Sequence, residues 1–93
     1  MQDQPARILI VDDEPHICEL LARWLMAEGY RCTTAFNAEK ALELLQTNEF
    51  ELALCDIMMP GVDGMGLLNT IRAKFNNTAV LMVTAVDDRK TGI

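Results

Sequence analysis

Short apolar runs alternate along this chain with stripes of helical spacing. Ile8-Leu9-Ile10-Val11 is uninterrupted and bounded by polar residues, as suits a strand buried on both faces of a parallel sheet. Pro15 then stands where a helix can begin. Ile17, Leu20, Leu21, Trp24 and Leu25 recur at the spacing of one helical face, which predicts a first helix with Trp24 in the core. Gly29 supplies its end. Arg31 to Phe36 mixes Cys32, Thr33, Thr34 and Phe36 with polar neighbours and predicts a second, less buried strand at a sheet edge. Asn37 is suited to cap a second helix, whose apolar face is Ala38, Ala41, Leu42 and Leu45. Leu52-Ala53-Leu54-Cys55 reads as the third strand, followed by a loop rich in Pro and Gly and a third helix with Leu68, Ile71 and Phe75 inward. Asn76-Asn77-Thr78 turns the chain into a fourth strand, Ala79 to Val83.

The resulting order, βαβαβαβ, calls for an α/β fold with a parallel sheet, right-handed crossovers and helices on both faces. In such sheets chemistry gathers at the carboxyl ends of the strands.

Composition narrows the class. A chain of 93 residues holds one domain, and 51% hydrophobic with 24% charged residues fits neither a disordered tail nor a membrane protein. The apolar runs are far short of the roughly 20 residues that span a bilayer, and the N-terminal residues lack a basic signal region. Eight Lys and Arg against 14 Asp and Glu give a net charge of -6, a surface that repels phosphate backbones, so direct nucleic-acid binding is not expected. Cys18, Cys32 and Cys55 are odd in number and form no C-x-x-C pair; they read as core thiols of a reducing cytoplasm.

The strand ends carry the candidate chemistry. The first strand ends in Asp12-Asp13-Glu14, the third in Asp56 and the fourth in Thr84-Ala85. A single strand-end acid is often a turn former or helix cap, but three strand ends bring carboxylates and a hydroxyl to one rim. Like charges in so small a space call for a counter-charge, and a hard divalent cation such as Mg²⁺ suits carboxylate oxygens and leaves coordination positions for phosphate. A carboxylate beside such an ion can attack phosphorus to give an aspartyl phosphate, and Thr84 could donate a hydrogen bond to a phosphoryl oxygen.

Val11-Asp12-Asp13-Glu14-Pro15, then Asp56-Ile57-Met58-Met59-Pro60-Gly61-Val62-Asp63-Gly64, then Val83-Thr84-Ala85, together resemble the signatures of the response-regulator receiver domain of two-component signalling. The resemblance covers essentially the whole chain. It implies a flavodoxin-like doubly wound sheet with strand order 2-1-3-4, and a phosphoacceptor switch served by a histidine kinase or phosphotransfer protein. Residue by residue, it implies that Asp56 accepts the phosphoryl group. It implies that Asp13 binds Mg²⁺ directly with Asp12 beside it, often through water, and that Asp56 and the backbone carbonyl of Met58 are further metal ligands. Thr84 is the switch hydroxyl, Ala85 leaves the site open, and Pro60 and Gly61 shape the loop.

Receivers of this family continue through a fourth helix, a fifth strand with a Lys-Pro pair and a fifth helix. Residues 1–93 are therefore expected to form a receiver lacking most of helix 4, strand 5 and helix 5, with Lys90 a poor substitute for the missing lysine. The open edge of Ala79 to Val83 then invites self-association by strand addition.

Rival readings are an inactive or truncated receiver that serves only protein interaction, and a phosphatase of the haloacid dehalogenase type. The latter places its nucleophile in a D-x-D motif on the first strand, whereas here the first strand ends in adjacent acids. Plainer readings cover the other residues. His16 is a solvated helix residue, Met58, Met59 and Met65 are loop and core packing, and Asp63, Asp87 and Asp88 are helix caps.

Overall fold

A computed structural model of the chain describes residues 4–56 and 64–83. Among the described residues, four strands, β1 (Arg7–Val11), β2 (Arg31–Ala35), β3 (Leu52–Asp56) and β4 (Ala79–Val83), alternate with three helices, α1 (Pro15–Ala27), α2 (Ala38–Thr47) and α3 (Gly64–Lys74). All the pairings are parallel and the order is β2-β1-β3-β4, so β2 is an edge as its mixed composition predicts.

The period of two along β1 divides the core. Leu9 and Val11 point into one layer with Ala35, Ala53 and Cys55, covered by α2 through Ala41 and Leu45, by α3 through Leu67 and Ile71, and by Phe50. Ile8 and Ile10 point the other way and, with Leu54, meet Cys18, Leu21, Ala22 and Leu25 of α1. A continuous apolar strand is thus explained by helices on both faces. α1 packs over β1 and β2, which leaves Leu81 of β4 55% exposed.

Local signals act where the sequence places them. Pro15 opens α1. Gly29, at φ 98, closes it: Gly29 N–H donates to the Met26 carbonyl and Tyr30 N–H to the Leu25 carbonyl. These are the two hydrogen bonds of a left-handed helix stop, a backbone conformation that disfavours a Cβ. The Asn37 side chain accepts from Lys40 N–H at 2.7 Å and caps α2.

Three expectations need correction. Trp24 is not core: it is 61% exposed, and Leu20 is also exposed. The inward stripe is Cys18, Leu21, Ala22 and Leu25, which obeys the same helical spacing; its small Cys and Ala let the helix approach the sheet, and spacing alone could not choose between the two stripes. In α3 the buried leucine is Leu67, four residues before Ile71, while Leu68 is only half-buried. β2 ends at Ala35, and Phe36 lies exposed beyond it.

These placements separate two apolar side chains by consequence. Ile71→Ala, at a site with no exposure, is expected to cost about 2–5 kcal/mol. Trp24→Ser is expected to change stability by no more than about 0.5 kcal/mol. Urea unfolding of the two variants measures the difference, and equal losses would return Trp24 to the core.

Candidate functional site

Parallel register brings the acids together. Val11 lies opposite Cys55 in the β1–β3 pairing, so the next residue on each strand, Asp12 and Asp56, emerges at the same carboxyl edge of the sheet. Asp13 follows one residue later. One carboxylate oxygen from each of Asp12, Asp13 and Asp56 lies within 4.8 Å of the others; Asp12 and Asp56 are buried and Asp13 is exposed.

The backbone here is tightly held. Asp12 N–H donates to the Ala35 carbonyl at 3.1 Å, extending the β1–β2 ladder past Val11. Its side-chain Oδ1 accepts from Glu14 N–H at 2.9 Å, which curls the loop into the start of α1. Its carbonyl accepts from the Cys18 thiol at 3.3 Å, one turn into the helix. The Glu14 side chain makes no capping hydrogen bond; its carbonyl accepts from Ile17 and Cys18 N–H instead. The N-terminus of α1, with its partial positive charge, therefore opens directly beyond the acidic loop.

The electrostatics show strain of a useful kind. Burial pushes the Asp12 carboxyl above its ordinary 3.8, the hydrogen bond from Glu14 N–H opposes this, and the charges of Asp56 and Asp13 and a hydrogen bond with Asp56 raise it further. A hard divalent cation fits this donor set: three carboxylates, two withdrawn from water, converge on one point, and a positive charge there relieves both burial and repulsion. Burial likewise raises the thiols of Cys18 and Cys55 to about 11, with the Asp12 charge adding to the rise at Cys18, so both are protonated at neutral pH, as inert core thiols are. His16 is exposed, as expected for a solvated helix residue.

The three acids meet at one edge, as the strand order predicts, and the hydrogen bonds to the Asp12 main chain are what the sequence does not mark. No residue-type signal marks Cys18 for this task, because a cysteine on a helix reads first as core. Met58, Met59, Pro60, Gly61, Asp63, Thr84, Ala85, Asp87, Asp88 and Lys90 lie outside the described residues, and so does the side chain of Met65.

With this geometry in place, comparison with known proteins is decisive. The sequence model of the response regulator receiver domain matches residues 8–93. The chain belongs to the receiver domain family. It is 41% identical over 81 residues to a probable transcriptional regulator, ycf27, of Cyanidium caldarium; the match takes in 87% of this chain and 32% of that protein, about a third of its length. Among solved structures it is similar to the response regulator TrrA of Thermotoga maritima in complex with Mg²⁺-BeF, at 39% identity and a TM-score of 0.82 over 95% of this chain and 76% of that one. A structure of the histidine kinase ThkA in complex with TrrA matches at 41% identity and a TM-score of 0.80, covering 88% of this chain and 71% of that one. A CheY-like receiver domain from Methanospirillum hungatei matches at 33% identity and 0.84, covering 90% and 67%. The expected doubly wound fold with order 2-1-3-4 is the observed one, and this receiver domain is a signalling module of two-component systems. The phosphatase reading falls with it.

The raised carboxyl of Asp12 has a consequence for stability. A group whose folded pKa lies above its unfolded value holds protons more tightly in the folded state. Its unfavourable contribution is therefore absent below the unfolded value near 3.8 and grows as pH rises from there through the folded value. Without divalent cations, Asp12→Asn is expected to be more stable than the parent chain above this window and to converge with it toward acid. Melting temperatures of the two chains from pH 3 to 7 in chelator measure this, and a constant offset would contradict it.

Proposed function

We propose that Asp56 is the phosphoacceptor of this receiver and that Asp12 and Asp13 hold a Mg²⁺ ion beside it. The observation that carries the reading is the convergence of the three carboxylates within 4.8 Å at the carboxyl ends of β1 and β3. The relative bound to Mg²⁺-BeF supports it, since beryllofluoride is a tetrahedral stand-in for a phosphoryl group. The relative bound to a histidine kinase supports a kinase, or a phosphotransfer protein, as the phosphodonor.

In this reading an oxygen of the Asp56 carboxylate attacks phosphorus in line, the bond from phosphorus to the donor's imidazole nitrogen breaks, and an aspartyl phosphate forms. Mg²⁺, when bound, neutralises charge on the phosphoryl oxygens. Asp13, the exposed acid, takes the cation directly; Asp12, buried and fixed by Glu14 N–H, acts beside it. From the family resemblance, Asp56 and the Met58 carbonyl would complete the ligand set, the Thr84 hydroxyl would read the phosphoryl group, and the small Ala85 would leave room for it. The module turns over no separate substrate, at most catalysing its own phosphorylation and dephosphorylation. Intact Asp12, Asp13 and Asp56 favour this over a receiver that serves interaction alone. Three free thiols support a cytoplasmic setting.

Two outcomes test the reading. Mg²⁺ should raise the melting temperature of the parent chain, since a ligand bound only by the folded state stabilises it, and Asp13→Asn should remove most of that rise. A small phosphodonor such as acetyl phosphate, with Mg²⁺, should add one phosphoryl group by mass spectrometry, and Asp56→Asn should abolish it. Label that persists in Asp56→Asn would refute the assignment.

A second reading concerns self-association. Ala79 and Leu81 of β4 are exposed, and among the described residues no strand pairs with its outer edge. We propose that this edge pairs with a second copy at high concentration. Sedimentation should show a dimer that Leu81→Lys weakens; a parent chain monomeric at every concentration contradicts it.

A further inference from the structure

The Asp12 main chain is clamped from both sides. Its N–H is fixed by Ala35 at the end of β2, and its carbonyl by the thiol of Cys18 in the first turn of α1. The carbonyl belongs to the peptide unit that joins Asp12 to Asp13, so its orientation sets the direction in which the Asp13 side chain leaves the backbone. Cys18 is 1% exposed and bears on the sheet with Ile8, Ile10 and Leu54. Packing therefore holds its sulfur in place while the thiol donates its hydrogen bond to the carbonyl.

We propose that Cys18 is a positioning residue for the acidic site: its thiol fixes the Asp12–Asp13 peptide unit and thereby the approach of the Asp13 carboxylate to Asp56. The inference rests on the reading of these acids as a cation and phosphoryl site. A buried thiol suits the task on two counts. It is apolar enough to pack against the sheet, and it carries a donor hydrogen that valine or alanine lacks. A thiol carries its hydrogen at neutral pH, where carboxylates are ionised, so the donor and the charged acids are present together there. Loss of the donor leaves the Asp12 carbonyl without its partner and frees the peptide to rotate.

The test compares Cys18→Val, which keeps apolar volume and loses the donor, with Cys18→Ser, which keeps a donor and loses apolar character. Mg²⁺ affinity is measured by titration calorimetry, and the melting temperature without metal is measured alongside it. A positioning role predicts that Cys18→Val weakens Mg²⁺ binding about tenfold, within the range found when groups that orient metal ligands are removed, and that Cys18→Ser recovers most of the affinity. Metal-free stability should run the other way, with serine below valine, because a hydroxyl is harder to bury than a methyl. Opposite orders in affinity and stability support the proposal. Affinity that follows stability, or equal affinity in all three chains, overturns it while leaving the site intact. If valine prevents folding, Cys18→Ala takes its place in the same comparison. A parent chain that binds no Mg²⁺ overturns the phosphoacceptor reading and this inference with it, an outcome distinct from equal affinities.

Discussion

Everything at the working end of this molecule follows from one constraint: three carboxylates are held closer together than they would settle in water. The parallel register of β1 and β3 creates the conflict by setting Asp12 and Asp56 side by side at the sheet edge. The core beneath keeps it from relaxing. Leu9, Val11, Ala53 and Cys55 are all but inaccessible, so the strands cannot slide apart without exposing the layer they share with α2 and α3. Burial is the first cause of the raised Asp12 carboxyl, and the charges of Asp56 and Asp13 add their repulsion to it. A cation and a phosphoryl group can each change the size of that repulsion, which is what a switch requires.

The fold was largely legible because its signals are local and agree with one another. A continuous apolar run for β1, Pro15 at the start of α1, Gly29 at its end and the Asn37 cap of α2 each have a single cheap structural solution. Where sequence reading went astray, two solutions obeyed the same periodicity. Trp24 and Cys18 both sit on apolar stripes of α1, and which stripe turns inward is visible only in the packing of α1 over β1 and β2. The same ambiguity separates Leu67 from Leu68.

The site was legible for a different reason. Topology requires that loops after parallel strands meet at one edge, so acids at the ends of the first and third strands had to converge. What sequence could not show is how the backbone beneath them is anchored. The Ala35 carbonyl reaches Asp12 through the β1–β2 pairing and the Cys18 thiol through the first turn of α1, neither of which is written in the residues around Asp56. The open face over Leu81 reflects where α1 packs, covering one half of that layer and leaving the other.

In the proposed site, Asp12, Asp13 and Asp56 together hold one divalent cation. Substoichiometric Mn²⁺, a paramagnetic substitute for Mg²⁺, tests it in an amide-resolved NMR titration. Resonances of Val11 to Glu14 and of Cys55 and Asp56 are expected to broaden first, while those of Asn48 to Glu51 at the far end of the sheet keep their intensity, and excess Mg²⁺ is expected to restore the lost signals. Broadening spread evenly over the exposed acids, such as Glu19, Glu39 and Glu43, would contradict it.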